Sequence, residues 1–382
     1  MTDKPTRGPG RRNDGHRGVN IALQGGGAHG AYTWGVLDRL FEDDRIWIEG
    51  ISGTSAGAMN AVVAAHGMHE NGAEGARAHL AKFWRAVSGA ARFSPIQRSL
   101  FARATGDWSL ETSPGYMWMN FMQRVASPYD LNPLGVDPLR KIVEDIVDFD
   151  RVRRVTGMGV FLSATNVETG RIRVFEKPEI TLDTVMASAC LPNIYKAVEI
   201  DGVPYWDGGF MGNPPLFPFF HGSPSDDIII VQINPVEREG TPTGAAAIQN
   251  RINEITFNSS LLHELRSIDF VRRLLDAGQL DPNEYKRMHM HIISACERMI
   301  DLDASSKLNA EWSFLKHLFE IGRETADEWL EANFENLGQR SSTNIRDMFD
   351  GYHLPDADEL SVAAAKPKSQ KTSRKTPRKA AE

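Results

Sequence analysis

Apolar positions in the first 67 residues alternate between two spacings. "VNIALQ" (19–24) is a short, nearly continuous apolar run bounded by glycine, which reads as a buried strand. After three glycines, Ala31, Trp34, Val36, Leu37, Leu40 and Phe41 recur at helical spacing. "RIWIEGISG" (45–53) reads as a second strand, and "AGAMNAVVAAHG" (56–67) as a small-residue helix ending at Gly67. Strand, glycine loop, helix, strand, tight turn and helix in that order predict a parallel α/β layout.

The pattern continues downstream. Residues 74–92 read as helix, and "PLRKIVEDIV" (138–147) as an amphipathic helix. Between them, residues 93–136 are rich in turn formers and carry the apolar cluster "YMWMNFM" (116–122). Residues 157–175 read as a strand, a turn at 168–170 and a returning strand. "LDTVMASACLP" (182–192) reads as a helix stopped by Pro192, and 197–210 holds a hairpin turn at Asp201–Gly202 followed by a second Asp-Gly pair. "DDIIIVQINP" (226–235) has the unbroken apolar run of a strand buried on both faces. From 244 to 335 the spacing is helical, with one more strand expected at 285–295.

Composition and charge narrow the class. The chain has 382 residues, 41% of them hydrophobic and 24% charged, as expected of a globular protein of one large domain or two smaller ones. No apolar run is long enough to cross a bilayer, so membrane contact is expected to be peripheral. Residues 1–18 carry positive charge with no apolar stretch behind it, which predicts a disordered leader and not a signal peptide. Two distant cysteines, Cys190 and Cys296, make neither a disulfide framework nor a metal knuckle, which points to a reducing, cytoplasmic setting. Residues 1–18 carry +3 and residues 366–382 carry +6, so a net charge of −7 leaves −16 on the body. An acidic body argues against a specific nucleic-acid partner, while the basic tail reads as a solvated segment able to touch anionic surfaces.

The chemistry concentrates in two stretches. "GTSAG" (53–57) is G-x-S-x-G between a predicted strand and a predicted helix, the context in which a turn exposes a nucleophilic serine. Ser55 is therefore the candidate nucleophile. Ser52 is weaker, because Thr54 stands where its second glycine should be. "GGGAHG" (25–30) lies at the end of the neighbouring strand, and Gly25, Gly26 and Gly27 are placed to offer backbone N–H groups to an oxyanion. The same glycines satisfy G-x-G-x-x-G, so a dinucleotide-binding loop with Glu49 as the ribose ligand is the rival reading. A serine nucleophile needs a base. The histidines after Ser55 stand in no distinctive loop, and His289 and His291 alternate within a predicted strand, so they read as structural. Asp207, between the aromatic pair "YW" and Gly208-Gly209, is the better candidate, since burial would raise its pKa toward that of a working base.

"GGGAHG" (25–30), "GTSAG" (53–57) and "DGG" (207–209), in that order, resemble the motifs of the patatin-like phospholipases. "SATNVETG" (163–170), "MASACLP" (186–192) and "GNPP" (212–215) extend the resemblance over residues 19–235. It implies a three-layer α/β/α sandwich with a mostly parallel sheet, and a Ser55–Asp207 dyad working without histidine, metal or cofactor. It also implies an oxyanion hole at Gly25, Gly26 and Gly27, supported by Ala28, His29, Gly30, Gly53, Gly57, Gly208 and Gly209. The family often has Arg or Lys where His29 stands, which leaves charge recognition at this position open. The expected organisation is a leader (1–18), a patatin-like catalytic domain (19–243) with an apolar cap (93–136), a mainly helical extension (244–340) and a basic tail (341–382). The expected activity is hydrolysis of a lipid carboxylic ester through an acyl-serine, in the cytoplasm or peripherally at a membrane. A catalytically silent lipid-binding protein and a nucleotide-binding oxidoreductase are the alternatives.

Overall fold

The computed structural model describes residues 16–349 except residue 134. Most of the basic leader, His353 and the basic stretch 366–382 lie outside the described residues. The described residues through Met348 form one compact unit, and of the second unit only Phe349, its first residue, is described.

Among the described residues eight strands make one sheet: β1 (Arg17–Leu23), β2 (Ile46–Gly53), β3 (Gly159–Asn166), β4 (Ile172–Glu176), β5 (Val198–Ile200), β6 (Val203–Asp207), β7 (Asp227–Gln232) and β8 (His289–Ser294). Their order is β5-β6-β3-β2-β1-β7-β8, with β4 also paired to β3. The run β3-β2-β1-β7-β8 is parallel, while β4 and β6 pair antiparallel to β3. Every residue of β7 is buried, as its unbroken apolar run predicts. The chain winds outward from β1 through β2 and β3, then restarts on the other side of β1 with β7. The carboxyl ends of β1 and β7 therefore flank a topological switch point, where open α/β sheets place their ligands.

The helices are α1 (Gly30–Glu42), α2 (Ala56–Ala91), α3 (Leu100–Thr105), α4 (Pro114–Val125), α5 (Pro128–Leu131), α6 (Pro138–Ile146), α7 (Phe149–Arg154), α8 (Leu182–Ser188), α9 (Pro218–Gly222), α10 (Ala245–Asp276), α11 (Trp312–Asn333) and α12 (Arg346–Phe349). Helices α1, α2 and α11 share one core with Val19, Ile21, Leu23, Ile229 and Val231 of the sheet. Ile228 and Ile230 point the opposite way and are equally buried, and Phe161 of β3 meets Phe219 of α9 edge-on at 5.6 Å. The result is a sheet covered on both faces, the α/β/α sandwich.

The sequence reading misplaces several boundaries. β1 begins at Arg17, inside the stretch 1–18 expected to be a leader. Gly67 does not end its helix. α2 continues to Asn71–Gly72, where φ of 61° at Gly72 marks a kink, and then resumes to Ala91. Gly67 serves close approach instead, because a Cβ there would lie 2.2 Å from the Gly75 carbonyl oxygen. The helix expected to run to Pro192 ends at Ser188.

Residues beyond 244 are built into the same unit. β8 extends the sheet alongside β7. α11 lies against α1 at backbone distance, because Gly35 and Gly322 have no Cβ. One at Gly35 would meet the Phe319 carbonyl oxygen at 2.0 Å, and one at Gly322 the Tyr32 carbonyl oxygen at 2.1 Å. His291 is a core residue, bonded to Asp227 Oδ1 and Ser342 Oγ at 2.9 Å each. Residues at the start of the expected tail are ordered on β8: the Met290 amide donates to Ser341 Oγ at 2.9 Å.

Candidate active site

Three strand ends and one hairpin converge. β1 runs into Gly25–Gly27, β2 into Ser55, β7 into Asn234, and β6 ends at Asp207. Ser55, Asp207, Gly25, Gly26, Gly27 and Asn234 line one cavity of about 300 Å³.

Ser55 has φ 56° and ψ −121°, outside the left-handed helical well and unusual for a residue with a Cβ. Such a conformation costs on the order of 1–3 kcal/mol and persists only where its surroundings impose it. Here they do. The Ser55 amide donates to Ser188 Oγ at 3.0 Å, and the Met59 amide donates to the Ser55 carbonyl at 3.1 Å. Thr54 is pinned through its hydroxyl to the Gly212 carbonyl and Ser163 Oγ, both at 2.6 Å. The turn also needs Gly57, where a Cβ would stand 2.3 Å from the Leu23 carbonyl oxygen. The G-x-S-x-G pattern is thus a steric requirement of folding β2 and α2 tightly over the end of β1.

Asp207 is fully buried, and its two carboxylate oxygens differ. Oδ1 accepts the Gly209 amide at 2.7 Å, while Oδ2 is buried with no hydrogen-bond partner. Burial raises the carboxyl pKa to about 7, against the smaller opposing pulls of the Gly209 amide and the Ser55 hydroxyl. Ser55 is thus near enough to act on the carboxylate, yet Oδ2 holds no bond of normal geometry. The backbone around Asp207 is fixed by its amide donating to the Cys190 carbonyl and its carbonyl accepting Thr165 Oγ1, each at 2.8 Å.

The glycine loop departs from expectation at one position. The Gly25 amide is already committed to Asn213 Oδ1 at 2.7 Å, so it is not a free oxyanion donor. Gly26 and Gly27 remain. Gln24 holds the loop in register with the end of β7, its Oε1 accepting the Ile233 and Asn234 amides at 2.9 Å each. Asn234 in turn donates to the Gly25 carbonyl at 2.8 Å. His29 is buried and bonded through Nε2 to Ser306 Oγ at 2.8 Å. Burial first, then Lys307 and Arg238, hold its pKa well below the usual imidazole range, so it is neutral near pH 7. Among the described residues no histidine lines the cavity.

The dinucleotide reading loses its acidic residue. Glu49 lies beside Gly18, at the start of β1, whereas the glycine loop follows the end of β1. Residues 19–24, about 20 Å of extended chain, separate the two.

A family model described as patatin-like phospholipase matches residues 21–220. The chain belongs to the patatin-like phospholipase family. This membership implies lipid acyl hydrolase activity. Among solved structures, VipD from Legionella pneumophila is similar at 15% identity, covering 80% of this chain and 67% of its own, with a TM-score of 0.33. That score is too low to add to the assignment. A search of curated proteins gives no match. The patatin-like match spans Ser55, Asp207 and the glycine loop, but stops before Asn234, α10 and Lys307.

The rest of this family member's cavity wall comes partly from the expected cap and partly from beyond the family match. α4 lines the cavity with Tyr116, Met119, Asn120 and Gln123, spaced three and four apart on one face. None of its residues is buried core, and Met117, Trp118, Phe121 and Val125 are exposed on its other side. The "YMWMNFM" cluster is therefore two-faced, with Met119 turned to the cavity and Trp118 turned to solvent. α10 repeats the arrangement: Asn250, Asn253 and Phe257 face the cavity, while Ile248, Ile252 and Ile255 are exposed. Sequence reasoning missed Asn213, Asn234, Ser188 and Lys307. Only Asn234 carried a usable signal, its place at the carboxyl end of the most apolar strand.

Proposed function

We propose that the protein is a serine lipid acyl hydrolase of phospholipase A or esterase type, working through a Ser55–Asp207 dyad and an acyl-serine intermediate. The observation that carries this reading is the unpaired, buried Oδ2 of Asp207 in the cavity that also holds the Ser55 hydroxyl. Ser55 Oγ attacks the ester carbonyl carbon and passes its proton to Asp207. The carbonyl oxygen becomes an oxyanion held by the Gly26 and Gly27 amides. Collapse of the tetrahedral species breaks the ester C–O bond, and the leaving alcohol takes the proton from Asp207. Water then attacks the acyl-serine, delivering a proton to Asp207. Release of the fatty acid returns that proton to Ser55 Oγ.

An aspartate at its ordinary pKa near 3.9 would be a weak base. One raised to about 7 is matched to proton transfer near neutral pH. The catalytic form is the carboxylate, so kcat/KM is expected to rise tenfold per pH unit on the acid side and to level off above about pH 7. A pH–rate profile with a soluble short-chain ester checks this. A plateau already reached at pH 5 would contradict a raised Asp207 pKa.

The cavity mouth supports a lipid substrate met at a surface. Exposed apolar stripes on α4 and α10 flank the entrance, and aromatic and Met side chains suit adaptable, half-wet contacts. Burying one such side chain is worth about 1.5–3 kcal/mol. The double substitution Trp118→Ser and Phe121→Ser is therefore expected to weaken partitioning onto phosphatidylcholine vesicles by at least about tenfold. Turnover of a monomeric soluble ester should fall much less. Equal losses in both assays would mean that these side chains serve the cavity and not a lipid surface.

A further inference from the structure

Lys307 stands in the short turn Ser305–Leu308, outside the family match, and lines the cavity. Its ammonium donates to the neutral Asn234 Oδ1 at 2.8 Å. No carboxylate among the described residues forms an ion pair with it. The nearby acid, Glu254, is already bound by Arg238 at 2.8 Å and by Arg251 at 3.2 Å. Two arginines share that carboxylate, which acts on the lysine through space without pairing with it. Asp207, the only carboxylate lining the cavity among the described residues, is not shifted in pKa by Lys307. His29 cannot share the duty, being neutral. Among the described residues Lys307 is therefore the only cation in the cavity lining.

An ammonium drawn partly out of water with one neutral acceptor is costly, and an apolar residue there would avoid that cost. Its neighbours on the wall are amide side chains, Asn234, Asn250 and Asn253, all able to donate hydrogen bonds. The lining also has apolar members, Leu191, Ile194 and Phe257. A cavity lined by one ammonium, amide donors and apolar side chains is complementary to an amphiphile with an anionic oxygen close to its acyl chains. The backbone position is fixed too: Gly27 has φ 59°, and a Cβ there would meet the Lys307 carbonyl oxygen at 2.4 Å. The lysine and the oxyanion loop are thus built against each other.

We infer that Lys307, with the Asn234 side chain beside it, forms an anion subsite that takes a phosphate group carried by the ester substrate. This rests on the hydrolase reading above and adds the substrate feature being read. It also gives the region beyond residue 220 a role in specificity.

The test compares dihexanoylglycerophosphate with dihexanoylglycerol, which share acyl chains and differ by the phosphate, at pH 8 where Asp207 is ionised. The ratio of kcat/KM for the two is expected to fall about 10- to 100-fold in Lys307→Met, the loss of one charge-assisted contact. Lys307→Arg should recover most of the ratio. A ratio that does not move, whatever happens to the absolute rates, overturns the inference and leaves Lys307 a support for the loop. A second arm needs no turnover. Ser55→Ala protein and its Lys307→Met derivative are titrated by calorimetry with the same two lipids and with inorganic phosphate. Tighter binding of the phosphorylated lipid, lost with Lys307, supports the subsite even if no ester is hydrolysed and the hydrolase reading fails. Inorganic phosphate binding as tightly as the phosphorylated lipid assigns the site to a free anion and overturns the substrate assignment.

Discussion

Ser55→Ala is expected to abolish ester turnover, with kcat falling on the order of 10⁴-fold or more, because the proposed covalent route disappears with its nucleophile. The loss is chemical. Ser55 sits at the N-terminus of α2 in a conformation set by Thr54, Gly57 and Ser188, and all of those contacts survive replacement of the hydroxyl by hydrogen. The fold should therefore be retained, and substrate binding with it. Steady-state kinetics on a soluble ester, together with an unchanged circular dichroism spectrum, check the prediction. Residual activity within tenfold of the parent would place the nucleophile elsewhere.

Asp207→Asn is expected to separate activity from stability. Catalysis should fall about 10³-fold, the usual scale for losing a general base. The amide cannot accept the Ser55 proton, although it can still accept the Gly209 amide bond at the Oδ1 position. Stability should move the other way. The folded-state pKa of about 7 lies above the unfolded value near 3.9, so the folded protein prefers the protonated carboxyl. The penalty is absent below about pH 4, grows as pH rises through about 7, and then stays level. At full ionisation it amounts to about 4 kcal/mol, which Asp207→Asn removes. Thermal unfolding should therefore show a higher Tm for the variant at pH 8, shrinking toward the parent at pH 4. A variant less stable than the parent at pH 8 would mean that the charge is paid for by contacts the account lacks.

What was legible in the sequence was local. "IALQGGG" and "ISGTSAG" announce two strand ends because an apolar run meets glycines, and glycine at 57 is demanded by the Leu23 carbonyl oxygen directly above it. The Asp201–Gly202 hairpin follows from residues that accept positive φ, observed at 51° and 76°. Gly67 misled because a glycine near a helix end serves either a cap or a close contact, and only the partner, Gly75, decides which. The Gly25 amide was misjudged because its acceptor, Asn213, lies 188 residues away. Lys307 carried no signal at all. It is an ordinary lysine in a polar stretch, and its meaning comes from a cavity assembled by β1, β7 and α10 around it.

The same distinction explains the two-faced helices. "YMWMNFM" shows apolar character in sequence but not direction. Only the packing of α4 turns Met119 toward the cavity and leaves Trp118 and Phe121 in solvent. A cluster with too little partner surface to become core is left for the substrate or its surface.

The most direct measurement is covalent labelling with a fluorophosphonate, followed by mass-spectrometric mapping of the adduct. The account predicts one adduct on Ser55, none in Ser55→Ala, and labelling slowed by orders of magnitude in Asp207→Asn. An adduct on another residue, or a parent protein that never labels, would contradict it.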